Sequence, residues 1–207
     1  MRALFIGISC FISSFFLSQQ KEEFRAVRNY YDQHRTMLNK EFRKKFDAES
    51  NTFKKAAIKG DFLFFMKKMD SIENTALVGA LLRVRNQEDL EAIKIPKATS
   101  INISDRFRDL ETAPNYPGGL NTLRKEVASL IYTDGVHTEV KIVKTSVTFI
   151  VENDGSISNV HAQGDNFTFN RQAEIALYSL SERFLPAVAK GDPARFQFRL
   201  PLTLTME

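Results

Sequence analysis

The chain has 207 residues, enough for one or two domains, and its 43% hydrophobic and 26% charged residues are the composition of a globular protein with Phe (18, against no Trp) as its bulky core residue. A net charge of +4 is too mild to argue for nucleic acid. One cysteine, Cys10, and three histidines without paired spacing (His34, His137, His161) argue against a disulfide, a thiolate nucleophile or a metal site.

Residues 1–20 read as a targeting segment. Arg2 precedes an apolar run of 15 residues, Ala3 to Leu17, and Ser18-Gln19-Gln20 comes next. The run is shorter than the roughly 20 residues of a membrane span, so a signal peptide cut near Ser18 to Gln20 is expected. An uncleaved short anchor is the rival reading, and lipidation at Cys10 within Gly7-Ile8-Ser9-Cys10 is a third. All three place the rest of the chain outside the cytoplasm.

Residues 21–95 read as an α-helical module. Lys21 to about Ile58 has no Gly or Pro, and Phe24, Val27, Tyr31, Leu38, Phe42 and Phe46 recur at helical spacing. That stripe is expected to pack on the next helices. A spacer or partner-binding helix, or a basic face against anionic lipid, is the alternative, since Lys21 to Asp70 holds 13 Lys and Arg against 8 Asp and Glu. Gly60 marks an expected break, with Asp61 capping the next helix and Phe62 to Met69 forming a buried patch. Ser71 opens a further helix with Leu77, Leu81 and Val84 on one face. Gln87 to Ile93 extends it, and Ile95-Pro96 ends it. Residues 96–112 read as a linker with a short strand at Ser100 to Ile103.

Residues 113–207 read as a small α+β domain. The turn Ala113-Pro114-Asn115-Tyr116-Pro117-Gly118-Gly119 opens a helix with Leu120, Leu123, Val127, Leu130 and Ile131 on its stripe. Val147, Phe149 and Val151 alternate in a strand over at least Thr145 to Val151, Asp154-Gly155 marks a hairpin turn, and Ser156 to Ala162 returns. Asn170 is the expected cap of a helix with Ala173, Ala176, Leu177, Leu180 and Phe184 on its stripe, stopped by Pro186. Arg195 to Leu204 alternates apolar and polar residues as a half-buried strand. Pro201 lacks an N–H and is tolerated mainly at a sheet edge, so one side of this strand is expected to be unpaired.

Four stretches together resemble the C-terminal domain of TonB energy transducers in their Bacteroidetes-type form. They are Pro114-Asn115-Tyr116-Pro117-Gly118-Gly119, the hairpin Thr148 to Val160, the segment Ala173 to Pro193 with Leu185-Pro186-Ala187 and Gly191-Asp192-Pro193, and Arg199-Leu200-Pro201-Leu202. The resemblance covers about 113–207. It implies two helices packed on a three-stranded antiparallel sheet. It also implies a periplasmic protein that grips a peptide segment of an outer-membrane TonB-dependent transporter by strand addition along its last strand. The contact residues it implies are Tyr116, Pro117, Arg195, Gln197, Arg199, Pro201 and Thr203. A retained N-terminus would couple to an inner-membrane motor complex.

The sequence departs from that family in three ways. The apolar run is short and holds no His, Asp or Glu, the chain has six prolines and no Pro-rich spacer, and Tyr132 to Lys144 matches poorly. An exported cell-envelope interaction protein that keeps the fold without energy transduction is therefore the alternative. Self-association into a homodimer is left open. No enzyme is expected: Asp105 with Asp109, and Glu152 with Asp154, read as solvated faces or turns, and no nucleophile elbow or phosphate loop is present. No cofactor or catalytic residue is implied.

Overall fold

A computed structural model describes the backbone of residues 2–94 and 110–206 and the side chains of 22–93 and 110–206. The side chains of the leader and the strand expected at Ser100 to Ile103 lie outside those residues. Two long helices come first, α1 over Arg2–Ala48 and α2 over Thr52–Lys94. They part at Glu49-Ser50-Asn51, not at Gly60. The Asn51 side chain accepts hydrogen bonds from the N–H groups of Phe53 (2.9 Å) and Lys54 (3.1 Å), satisfying two donors that α2 leaves unpaired. Gly60, Asp61 and Ser71 all lie inside α2. An interior glycine costs about 1 kcal/mol against alanine, too little to break a helix supported along its length. The helix is described as far as Lys94, and the expected stop at Ile95-Pro96 lies outside the described residues.

The two helices form an antiparallel hairpin. Phe42 stacks on Phe62 at 4.1 Å between ring centres. Arg35 pairs with Asp70 at 2.7 Å and with Glu73, and Arg83 pairs with Glu23 at 2.8 Å. The patch expected to be buried from Phe62 to Met69 is split: Met69 is buried and Phe62 and Met66 are half-buried, but Leu63, Phe64 and Phe65 are exposed. Successive residues turn by 100° around a helix, so a run of apolar residues cannot share one face.

The rest of the chain is α+β. In order come β1 (Leu110–Thr112), α3 (Gly119–Leu130), a 3₁₀ turn (Thr133–Gly135), β2 (Ile142–Val151), β3 (Ile157–Gly164), α4 (Phe167–Tyr178), β4 (Ala187–Ala189), β5 (Asp192–Ala194) and β6 (Phe196–Thr205). The main sheet is antiparallel in the order β3-β2-β6, and a smaller one has the order β1-β4-β5. β1 falls in the stretch read as linker. Asp192-Pro193 lies in β5, and the β4–β5 turn is Lys190-Gly191, both at positive φ (54° and 81°), the geometry that closes a two-residue hairpin.

Tyr116-Pro117-Gly118-Gly119 is a type II turn. Gly118 sits at φ 77°, and the Gly119 N–H bonds the Tyr116 carbonyl at 2.7 Å. The β2–β3 turn puts Gly155 at φ 77°, with its N–H on the Glu152 carbonyl at 2.9 Å. A Cβ there would lie 1.9 Å from the Phe184 carbonyl oxygen, so only glycine fits.

α4 is capped by Asn166, which accepts from the Phe169 N–H at 2.7 Å, while Asn170 donates to the Gly164 carbonyl instead. The helix ends at Tyr178, well before Pro186. Ser179 closes the helix, its N–H and its hydroxyl both donating to the Ile175 carbonyl at 3.0 and 2.7 Å. Leu180 and Phe184 are nevertheless buried, because the chain after α4 folds back over the core. One buried cluster contains Phe24, Leu77, Leu81 and Val84 of the hairpin together with Leu123, Val147, Phe149, Ile175, Leu177, Phe184 and Leu200. Phe24 stacks flat on Tyr178, 5.2 Å apart and 8° from parallel.

Candidate functional site

The β2–β6 ladder runs through ten residue pairs, Ile142↔Thr205 to Val151↔Phe196, without a bulge. Its parity is set by one bond just past its end, where the Met206 N–H donates to the Lys141 carbonyl at 2.8 Å. Opposed pairs in an antiparallel ladder alternate between bonded and non-bonded. The even residues of β6, from Phe196 to Leu204, therefore spend their main-chain groups on β2. The odd residues Gln197, Arg199, Pro201, Thr203 and Thr205 aim theirs away from the sheet. Pro201 sits where its missing N–H costs the ladder nothing. β6 is an edge strand, and among the described residues no strand pairs with its outer side.

Side-chain burial follows the same parity. Leu200 is buried and Phe196, Phe198, Leu202 and Leu204 are half-buried toward the helices, whereas Gln197, Arg199, Pro201, Thr203 and Thr205 are exposed on the opposite face. Phe198 packs on Phe149 (5.3 Å) and Phe184 (5.9 Å), which fixes the strand from beneath.

The other edge of the sheet, β3, is occupied. A bulge between Thr148 and Ile150 and a positive φ of 51° at Asn159 turn the strand out of regular pairing. The Asn159 N–H donates to Glu88 Oε1 of α2 at 2.8 Å. The Val160 N–H donates to Tyr178 Oη at 3.2 Å, and the Ala162 N–H to Glu174 Oε1 at 2.8 Å. Tyr178 Oη in turn donates to Glu88 at 2.8 Å, and Arg85 pairs with Glu174. Burial and the Glu88 carboxylate hold the Tyr178 hydroxyl well above its ordinary pKa, so it remains a donor. Burial also raises the Glu174 carboxyl, against the Ala162 N–H and Arg85 that favour its charge. Sequence reasoning missed Glu88, Glu174 and Tyr178. Each is one polar residue in an otherwise ordinary helix, and only tertiary packing brings them to β3.

The seven residues singled out from sequence separate into groups. Gln197, Arg199, Pro201 and Thr203 lie together on the open edge. Arg199 Nε donates to Ser146 Oγ at 2.7 Å, laying its side chain across β2. Arg195 is exposed just before β6 and forms an ion pair with Glu152 at 2.6 Å. Pro117 is exposed at its turn. Tyr116 is not a surface residue: it is 2% exposed, its hydroxyl donates to Glu126 at 2.6 Å, and its ring meets Phe184 edge-on at 5.0 Å. Burial and Glu126 push its hydroxyl pKa up. It supports the Phe184–Phe198 contact and is withdrawn from the contact residues.

Among the described residues no cluster of three or more His, Cys, Asp or Glu is placed to hold a metal ion, and no helix is long and apolar enough to cross a membrane. No family model matches the chain, and no curated protein matches it. A search of solved structures finds a likeness to the NMR solution structure of the Helicobacter pylori TonB C-terminal domain (residues 179–285), at 13% identity over 54% of this chain and 98% of that one, with a TM-score of 0.27.

Proposed function

We propose that this protein acts by protein–protein contact in the cell envelope, its C-terminal domain receiving an extended peptide as an added strand along β6. The observation that carries the reading is the contrast between the two sheet edges. The β3 edge is closed by Glu88, Tyr178 and Glu174, while β6 offers a straight edge over ten paired residues with outward main-chain groups at alternate positions. A strand presented in this way is a template for strand addition, in which main-chain bonds give affinity and alternate side chains give selectivity. The occupant is supplied by the sequence resemblance: a segment of an outer-membrane TonB-dependent transporter, met in the periplasm. In this reading residues 1–20 export the chain or hold it in the inner membrane beside a motor complex. The division into a helical module (21–95), a linker (96–112) and a peptide-binding domain (113–207) is part of the same proposal.

One observation favours the second reading, an envelope interaction protein without energy transduction. The place where a long spacer would lie is taken by folded helices whose Phe24, Leu77, Leu81 and Val84 share a core with the sheet. Such a hairpin fixes its end of the chain close to the domain and does not give the reach of an extended linker.

The test is nuclear magnetic resonance on the isotope-labelled chain with a synthetic peptide of a transporter's TonB-box segment. Expected are slowed amide exchange at Gln197, Arg199 and Thr203 and unchanged exchange at Asn159, Val160 and Ala162. Protection on the β3 side, or shifts confined to the helices, would overturn the reading.

A further inference from the structure

The far end of the α1–α2 hairpin stands clear of the sheet-containing domain. Lys67 Nζ meets Asp134 Oδ2 at 3.2 Å, and Met69 is buried. From Met66 back to Thr52 the helix runs on for about 22 Å at 1.5 Å per residue. Along its outer side Phe53 is 89% exposed and Phe64 is 73% exposed. They are eleven residues apart, close to three helical turns, so they share a face. Ala57 and Gly60 lie between them on that face, and among the described residues nothing beyond the helix's own turns comes within 4 Å of where a Gly60 Cβ would be. Leu63 and Phe65, both exposed, flank the strip.

Lys54 and Lys68 lie beside the strip on α2, with Asp61 between them, and further lysines extend the positive charge over the rest of the tip. Lys54, Lys59 and Lys68 on α2, with Lys40, Lys44 and Lys45 on α1, are all exposed. Between Met37 and Asp70 there are nine Lys and Arg against five Asp and Glu, an excess equal to the net +4 of the entire chain. The chain outside this tip is balanced.

We propose that the hairpin tip docks on an anionic phospholipid surface, with Phe53 and Phe64 entering the interface and the lysines meeting headgroup phosphates. Exposed aromatic residues on a lysine-rich helix are the composition of an interfacial helix. A second copy is a poor occupant, since it would bring the same positive charge against this one. The apolar area is also small for a protein partner. Two Phe at about 200 Å² each, with Leu63 and Phe65 only about half exposed beside them, fall short of the roughly 800 Å² per side of a stable interface. Shallow lipid insertion needs no more than this.

The apolar run at 3–17 would itself attach the full chain to vesicles, so the readout has to be local to the tip. The full chain with Cys10→Ser and Ala57→Cys, carrying an environment-sensitive fluorophore, is mixed with phosphatidylglycerol–phosphatidylethanolamine vesicles or with phosphatidylcholine vesicles. The expected result is a blue shift and quenching by spin-labelled lipid with the anionic vesicles. The response should weaken about tenfold or more with Phe53→Ser plus Phe64→Ser, and similarly with Lys54→Glu plus Lys59→Glu. It should also weaken as salt is raised. Both pairs are exposed, so folding is preserved and can be checked by thermal melting. No shift with anionic vesicles, or an equal shift with neutral ones, overturns the proposal. So does a shift that tracks protein concentration without lipid and coincides with a sedimenting dimer, which would assign the tip to a second copy.

Discussion

Replacing Pro201 by alanine tests the β6 edge most directly, because it adds a group where the geometry leaves room. Pro201 opposes Ser146 at a non-bonded position of the ladder, so an alanine N–H there would point outward. The ladder to β2 loses nothing. The open edge gains a fifth outward donor beside Gln197, Arg199, Thr203 and Thr205. A net main-chain hydrogen bond is worth about 1 kcal/mol, which is roughly a fivefold change in affinity. Peptide binding to β6 should therefore tighten about fivefold in isothermal titration with the transporter peptide. A small cost runs the other way: losing proline loosens the unfolded chain by about 0.4–1 kcal/mol, visible in a urea melt but not in binding. Amide exchange supplies the decisive control without any peptide. The new amide at position 201 should exchange quickly in the free protein, between the protected Leu200 and Leu202, and become protected in the complex. If that amide is already protected in the free protein, the parity assigned to β6 is wrong. An affinity that is unchanged or weaker, with the amide at 201 still exchanging freely in the complex, would show that no strand is added there. Removing proline also removes a guard against edge pairing, so the variant should self-associate more readily at high concentration.

Other substitutions probe the hairpin turn, the helical hairpin and the closed β3 edge. Gly155→Ala places a Cβ 1.9 Å from the Phe184 carbonyl at a φ of 77°, so it should cost about 3 kcal/mol or more in urea unfolding, from left-handed strain and overpacking together. Gly60→Ala meets nothing beyond the helix's own turns within 4 Å among the described residues and should raise stability by about 1 kcal/mol, seen as a higher melting temperature. The Glu174 carboxyl is raised above its ordinary value of 4.5, chiefly by burial, so the folded state holds its proton more tightly than the unfolded state. Its contribution is then fully present below the unfolded pKa and is lost as pH rises through the folded one. Glu174→Gln should flatten the pH dependence of stability between the two pKa values; a slope identical to wild type would refute the assignment.

The parts of the fold legible from sequence are those set by local periodicity. Val147, Phe149 and Val151, and Phe196 to Leu204, alternate because one face of the sheet is covered and the other is wet, and the pattern locates those strands to within a few residues. Asp154-Gly155 marks the hairpin because glycine takes the positive φ of its turn without strain. Pro201 marks an edge for a similarly local reason. The features that are not legible depend on contacts far apart in sequence. Gly60 and Ser71 are weak helix breakers that packing against α1 overrides, whereas Asn51, a good N-cap with no Gly or Pro nearby, divides the hairpin. Of the two asparagines before and within the start of α4, Asn166 caps and Asn170 binds β3, a choice fixed by where Gly164 lies. Leu180 and Phe184 continue the stripe of α4 in spacing but not in structure. The turn at Tyr116 is readable from its prolines and glycines, but nothing in that motif says which way the ring points.

The helical hairpin and the open edge belong to one argument. A small three-stranded sheet has two edges, and either can recruit an extended chain. Glu88 and Arg85 come from α2, and they act with Tyr178 and Glu174 of α4 to occupy β3. The hairpin therefore covers one edge of the sheet as well as enlarging the core. Packing α2 against that side leaves β6 as the main sheet's open edge among the described residues, with its direction and parity fixed by the ladder to β2. Glu88→Ala tests this coupling. It removes the acceptor of the Asn159 N–H and of Tyr178 Oη, leaving donors without partners at a cost of about 1–3 kcal/mol. Faster amide exchange should appear at Asn159 and Val160 while Arg199 and Thr203 are unaffected. If both edges loosen together, the hairpin supports the whole sheet and the division of roles between the edges fails.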